Sequence, residues 1–350
     1  MSPNAILAGI MLISLVVYSL SGGADYGAGF WDLFSFGPNR EGQRNLIAQA
    51  IQPVWETNHV WLILLIVLMF SGFPAAFSAI SVKFAVPLYL VLLGIVLRGS
   101  SYVFRAYFAG NLRMQLYWGR VFSISSSMTP LFLGIVIGGI SCDRVLANDG
   151  LSGNGFLRAW FHPFPLVVGL LSLSLFAYLS ACYLTIEAED RALQSDFRTR
   201  ALTSGVISII LAACTYIMAG GSAHGIKDGL WSNPYAWLVE IGAGIATIVA
   251  FHALWSRYFL RARIAAAAQV TFILLGWGIA QFPYLVRPEI TIYNGASPRP
   301  VLSSLTIAVT IGAVVLLPSL ALLFYVFKSE SKSTSPSIDE AGAEEQAETL

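Results

Sequence analysis

Long apolar runs, separated by short polar stretches, dominate this chain as far as about residue 327. A helix needs ~20 mostly apolar residues to cross the hydrocarbon core of a bilayer. By that measure the pattern predicts an all-α polytopic membrane protein with about nine transmembrane helices. The predicted spans centre on residues 5–24, 57–77, 80–103, 120–141, 163–185, 201–221, 235–256, 266–286 and 302–327.

Two of these assignments depend on local detail. The runs 57–77 and 80–103 are together too long for one helix, and a short turn near Phe73 and Pro74 separates them. They therefore predict a tight helical hairpin. The first run is predicted to be a retained span and not a signal peptide, because Met1–Asn4 carries no positive cluster and no small-residue cleavage site follows.

The arrangement of the spans predicts two four-span halves plus a ninth span. A loop rich in Gly, Asn and Asp follows the fourth span, which suggests a division into halves. The C-terminal end is rich in Ser, Glu and Ala and is predicted to be a disordered cytoplasmic tail. The predicted ranges are 1–328 for the transmembrane domain, about 1–141 and 163–286 for its halves, 302–327 for the ninth span and 329–350 for the tail.

Composition agrees with a membrane protein and excludes several other classes. Hydrophobic residues make up 56% of the chain and charged residues 11%, whereas soluble domains average ~25% charged residues. The formal net charge of +1 gives no electrostatic reason to expect a nucleic-acid partner or a polybasic membrane tether. The cysteines Cys142, Cys182 and Cys214 lack metal-site spacing and are predicted to be small buried residues.

The distribution of Lys and Arg predicts the orientation. Fourteen of these residues follow the odd-numbered spans or lie in the tail, and six lie on the opposite side. Positive residues are enriched in cytoplasmic loops. The N-terminus is therefore predicted to lie outside and the C-terminus in the cytoplasm.

Two acids at span ends are candidates for proton transfer. Asp25 lies in the glycine-rich segment Gly22–Gly29, and Glu56 lies in the polar block Pro53–Leu62, close to His59. Ionisable groups in membrane helices are costly and are therefore functional candidates, and carboxylates and imidazoles are the usual proton carriers. These residues predict the cytoplasmic mouth of a proton path. Two plainer alternatives remain: an acid in the headgroup zone, and an acid that caps a helix at its positive end.

Other polar residues in or beside the spans extend this set. Arg98 closes the third span and needs an anionic partner, either one of the two acids or a haem propionate of another chain, unless it extends to the interface. Trp55 and Asn58 flank Glu56 and are assigned with Arg98 to electrostatics beside an anion. Glu240 lies within the seventh span and is a further candidate for the proton path.

Nothing in the sequence predicts a metal site. The four histidines, His59, His162, His224 and His252, are each isolated, without a second ligand three or four residues away. The chain is therefore expected to ligate no haem of its own.

The chain resembles subunit II of the cytochrome bd-type quinol oxidases. Four segments carry the resemblance, in the order found in that family: Gly22–Gly29, Pro53–Leu62, Leu97–Arg105 and Gly276–Pro298. The most specific patterns are Trp-acid-x-Asn-x-Val-Trp in the second segment and Gln-aromatic-Pro-Tyr in the fourth.

The resemblance implies a terminal oxidase of the bacterial cytoplasmic membrane that reduces O₂ to water with electrons from ubiquinol or menaquinol. It implies a large partner, subunit I, that holds haem b and haem d (or a further haem b), and small accessory subunits in some complexes. The resemblance also implies a fold of two four-helix bundles and a peripheral helix. This chain would then stabilise subunit I and help to form the proton path, with Asp25 and Glu56 as proton carriers. Arg98, Trp55 and Asn58 would provide electrostatics on the haem or anion side. Electron transfer would separate charge without pumping.

Two departures from the family pattern concern the candidate site. Many members have Asp where Glu56 stands, and other polar residues are common at the position of His59. The haem d type and the cyanide-insensitive type both remain open. Two functional alternatives also remain: an ion-coupled secondary transporter that uses Asp25, Glu56 and Glu240, and a purely structural oxidase subunit.

Overall fold

Helices account for nearly all regular structure in this chain. The computed structural model describes residues 2–51, 55–108, 110–143, 157 and 159–333. In chain order the elements are α1 (Pro3–Leu33), α2 (Arg40–Ile51), α3 (Trp55–Gly72), α4 (Pro74–Lys83), α5 (Ala85–Tyr107), α6 (Leu112–Ser141), α7 (Pro163–Glu187), α8 (Arg191–Ser222), α9 (His224–Ser232), α10 (Pro234–Trp255), α11 (Phe259–Gln281), β1 (Tyr284–Val286), β2 (Ile290–Thr291) and α12 (Arg299–Ser333).

The span prediction is confirmed at the level of the fold. Within the described residues, eight helices are long and apolar enough to cross a membrane, or nine if the bent pair α3–α4 counts as one span. The predicted all-α polytopic architecture is therefore confirmed, and the small antiparallel pair β1–β2 is the exception among the residues that the structure describes. By its contacts α12 belongs to a compact unit separate from residues 2–298. The division at residues 141 to 163 stays a prediction.

The predicted hairpin differs from the structure at its turn. Helix α3 ends at Gly72, and the separate ten-residue helix α4 follows at an angle of 115° before α5 begins at Ala85. Pro74 occupies the first turn of α4, where its missing N–H does no harm, whereas inside a continuous helix it would remove a hydrogen bond. Pro74 therefore marks the break between α3 and α4, and a second break at Phe84 separates α4 from α5, which gives three helices and not two.

Helix α1 packs against several other helices of residues 2–298. It contacts α2, α3, α6, α7 and α11. Glycines on α1 allow this close approach: a Cβ atom at Gly27 would overlap the carbonyl oxygen of Phe176 on α7, and one at Gly29 would overlap the Ser126 hydroxyl on α6. The main apolar core lies beside this contact and includes the fully buried rings of Tyr178 and Phe197. Helix α1 therefore meets protein, not lipid, along much of its length.

At the opposite end of the bundle from Leu33, a buried arginine joins α6 to α11. Arg287, only 7% exposed, donates hydrogen bonds to the carbonyl oxygen of Ala280 (2.5 Å) and to Oε1 of Gln281 (3.3 Å). Its own backbone N–H donates to the carbonyl oxygen of Ile140 (3.1 Å). Burial lowers the pKa of the Arg287 guanidinium, and the nearby Asp143 carboxylate opposes that shift.

We expect Arg287→Gln to lower the free energy of unfolding by about 2 kcal/mol, because the buried oxygens that accept from the guanidinium lose their donor. Thermal unfolding of the purified protein in detergent measures the change. Arg261→Gln replaces an exposed arginine and serves as the matched control. Equal unfolding midpoints for the two variants would show that the Arg287 junction contributes nothing to stability.

Candidate functional site

Asp25 lies at the centre of a buried polar cluster formed by three helices. Its side chain on α1 is fully buried. Nη2 of Arg98, on α5, donates to Oδ1 of Asp25, and Nδ2 of Asn58, on α3, donates to Oδ2 at 2.7 Å. A buried ion pair costs desolvation free energy, and removal of one partner leaves an uncompensated charge. The sequence predicted all three residues as candidates, and the structure brings them together.

The guanidinium of Arg98 is enclosed by aromatic rings. Arg98 is 2% exposed, and its Cζ lies 5.1 Å from the ring centroid of Tyr26 and 5.3 Å from that of Phe122. Of the three partners considered for this arginine from the sequence, Asp25, Glu56 and a haem propionate, the structure places the Asp25 carboxylate in contact. Arg98 therefore lies inside the protein and does not extend to the membrane interface.

Several buried polar atoms around this cluster make no hydrogen bond within the described part of the chain. They include Nε of Arg98, Oδ1 of Asn58 and Oγ of Ser126. Buried polar atoms in proteins are nearly always paired, and ordered water commonly fills this role where protein does not. The cluster therefore has the donors and acceptors that a chain of buried waters requires.

His59 lies beside the same cluster. The hydroxyl of Tyr26 and Nε2 of His59 are 3.2 Å apart, and the tautomer of the imidazole decides which atom donates. Because Tyr26 is the next residue after Asp25, this contact places a second titratable group next to the carboxylate. A role of His59 in a proton path stays a prediction.

Sequence reasoning missed a second buried acid on α1. Asp32 is fully buried, and the Ser123 hydroxyl donates a hydrogen bond to its Oδ2 at 2.8 Å. Nε of Arg44 lies 3.4 Å from Oδ1 of Asp32, and Nη1 of Arg105 lies 3.7 Å from the same atom. Burial lowers the pKa of Arg44, and Asp32 opposes the shift. The sequence did contain one signal for Asp32, its seven-residue spacing from Asp25, because residues seven positions apart share one face of a helix.

The remaining predicted residues lie apart from this cluster or outside the description. Trp55 and Glu56 belong to the first turn of α3, and their side chains lie outside the described residues. Glu240 is exposed on α10, whereas the cluster is built from α1, α3 and α5. The prediction of roles for these three residues stays a prediction.

A metal ion needs several ligand side chains grouped around one point. They contain no group of three or more His, Cys, Asp or Glu side chains that could hold a metal ion. His162, His224 and His252 are exposed, and His59 contacts the Tyr26 hydroxyl. The expectation that this chain ligates no haem of its own stays a prediction.

A bundle of apolar helices with acids and arginines buried between them defines a polytopic membrane protein that holds charge within its interior. The chain belongs to the cytochrome bd terminal oxidase subunit II family, whose model matches residues 3–327. The resemblance stated from the sequence is thereby confirmed. The chain is a subunit of a quinol oxidase complex, and membership implies partnership with subunit I.

Two distant relatives and one solved structure align with most of this chain. The putative cytochrome bd menaquinol oxidase subunit II of Bacillus subtilis is 21% identical, over 95% of this chain and 97% of the relative. The cytochrome bd-I ubiquinol oxidase subunit 2 of Escherichia coli is 26% identical, over 89% and 90%. A chain of the bd oxidase structure from Geobacillus thermodenitrificans matches with a TM-score of 0.77 at 23% identity, over 93% of this chain and 99% of that chain, which shows the fold.

Proposed function

We propose that this chain stabilises the haem-bearing subunit I and forms part of the path by which protons reach the oxygen-reducing site of the complex. Reduction of O₂ to water consumes protons, and the electrons come from quinol. Haem in subunit I would supply the redox chemistry. The residues of this chain would carry protons and hold charge in place.

The observation that carries the proposal is the Asp25 cluster. A fully buried carboxylate contacts Arg98 and Asn58, and buried polar atoms beside it lack protein partners in the described residues. Ionisable residues in membrane interiors typically mark proton or ion pathways. Waters held by these atoms would let a proton pass to Asp25 while Arg98 balances its charge.

Glu56 and His59 would extend the path from α3. Glu56 lies one turn before His59 on that helix, and His59 contacts the Tyr26 hydroxyl. With the N-terminus outside, as the arginine distribution predicts, the first turn of α3 and the Leu33 end of α1 both face the cytoplasm. Protons would then be taken up from the cytoplasm and electrons from quinol near the outer face. Charge would separate without pumping.

The test is Glu56→Gln in the assembled oxidase, reconstituted in vesicles. We expect quinol-driven O₂ consumption to fall about tenfold or more at unchanged haem content, because amides do not relay protons. Glu56→Asp should retain more activity than Glu56→Ala. Glu187→Gln, which removes an exposed carboxylate paired with Arg263, is the control. Full turnover and full acidification stoichiometry in Glu56→Gln would overturn the assignment.

The second candidate is a purely structural subunit. It is favoured by the same Asp25–Arg98 contact, because the pair also fastens α1 to α5. On that alternative, neutralising Glu56 would lower haem content and turnover in the same proportion. Membership in the oxidase family argues against the third alternative, an ion-coupled transporter.

A further inference from the structure

We propose that Asp32 is the group through which cytoplasmic protons reach Asp25. This inference rests on the proposed proton path and adds its outermost carboxylate. The path would then run along one face of α1, from Asp32 past Ser126 to Asp25. Glu56 and His59 would join it from α3.

The register of α1 places the two acids in line. Asp25 and Asp32 are seven residues apart, which puts them on the same helix face about 10 Å apart along the axis. Gly29 lies between them on that face, and the Ser126 hydroxyl occupies the space that a side chain at Gly29 would fill. Ser123, one turn before Ser126 on α6, donates to Asp32. Polar side chains from α6 therefore follow α1 from one carboxylate to the other.

Unpaired atoms occur at each step of this line. Oδ1 of Asp32 lies within ion-pair distance of two arginines but accepts no hydrogen bond from the described residues. Oγ of Ser126 is buried without a partner there, and so is Nε of Arg98 at the far end. Each of these atoms can bond a water molecule, and a hydrogen-bonded water between two of them can pass a proton.

The outer end of the line reaches the surface through arginine side chains. Asp32 itself is fully buried, whereas the side chains of Arg44 and Arg105 beside it are 17% and 25% exposed. These come from α2 and α5, and α6 contributes the uncharged Ser123. Arg40 and Arg120 lie close enough to act electrostatically on Arg44. The arginines balance the carboxylate charge and keep this end of the bundle in contact with water.

The transfer is a balanced proton relay. A proton from cytoplasmic water bonds to Oδ1 of Asp32 and leaves to water held at Ser126, which passes a proton to the Asp25 carboxylate. Asp32 returns to its ionised state beside Arg44 and Arg105. No electron moves in this step, and no other reactant is consumed.

The experiment measures quinol-driven O₂ consumption and haem content of the full complex carrying Asp32→Asn, from about pH 6 to about pH 8. We expect turnover to fall about fivefold near pH 8 and less than twofold near pH 6, at full haem content, because scarce protons make uptake limiting. Asp32→Glu should restore most of the turnover. A loss of turnover that only follows a loss of haem would overturn the inference, because it would show a structural role.

Serine variants on α6 provide a second and independent test. Ser126→Ala should slow turnover about threefold near pH 8, because it removes the hydroxyl between the two acids. Ser127→Ala is the matched control, because Ser127 donates within its own helix to the carbonyl oxygen of Ser123 at 2.8 Å. If Ser126→Ala and Ser127→Ala had the same turnover, the proposed line along α1 would be wrong.

Failure of this inference and failure of the proposed function are distinguishable. Normal turnover and a normal pH profile in Asp32→Asn, together with slow turnover in Glu56→Gln, would overturn the role of Asp32 alone. Normal behaviour in both variants would overturn the proton path as a whole.

Discussion

Gly27→Ala is expected to lower the free energy of unfolding by about 3 kcal/mol or more, enough to reduce the yield of assembled oxidase. The added methyl group would overlap the carbonyl oxygen of Phe176, and backbone atoms of a packed helix cannot move aside as a flexible side chain can. Helices α1 and α7 would have to separate. The measurements are the yield of purified complex and the midpoint of its thermal unfolding.

Gly9→Ala is the matched control on the same helix. A Cβ atom at Gly9 has no neighbour within 4 Å, so alanine there should be neutral or stabilise the helix by up to ~1 kcal/mol. Equal unfolding temperatures for Gly27→Ala and Gly9→Ala would contradict the prediction, because they would show that the close contact of α1 with α7 does not limit stability.

Arg98→Gln is expected to destabilise the protein by about 3–5 kcal/mol, because it leaves the Asp25 carboxylate buried without its cation. Asp25→Asn added to this variant should recover part of the loss, because the remaining amides can bond to each other. The thermal unfolding midpoints of the two single variants and the double variant form the cycle that measures this coupling.

An exposed ion pair supplies the comparison for that cycle. Oε1 of Glu187 and Nη1 of Arg263 are 3.5 Å apart, and the two side chains are 50% and 42% exposed. Arg263→Gln should therefore lower the free energy of unfolding by no more than ~1 kcal/mol. If the effects of Asp25→Asn and Arg98→Gln on stability were additive, the two buried residues would not be energetically coupled, which would contradict the prediction.

The apolar pattern predicted that the spans exist but not how far they extend. The first span was predicted to end at residue 24, yet α1 continues to Leu33. A hydropathy criterion ends a helix where polar residues begin, because it assumes lipid on every side. Here α6 and α7 cover the polar face of α1, so the helix continues through Asp25 and the glycines. Asp32 was missed for this reason.

The members of the site were predictable, and their pairing was not. Asp25, Asn58 and Arg98 each stood out as polar residues at span ends. Asn58 and Arg98 lie 33 and 73 positions from Asp25 in the chain, and no local pattern encodes contacts at such separations. The Ser126 hydroxyl gave no signal at all, because serines in membrane helices commonly bond to their own backbone, as Ser125 and Ser127 do here.

The Asp25–Arg98 pair also imposes an order on biosynthesis. The ribosome completes α1 before it has made α5, so the carboxylate emerges 73 residues ahead of its guanidinium. A lone acid costs at most about 2.5–3.5 kcal/mol during insertion, the value for the centre of a membrane helix, and Asp25 lies closer to the end of α1, whose remainder is strongly apolar. Helix α1 therefore enters the bilayer with its acid uncompensated, and the arrival of α5 fixes it among its neighbours.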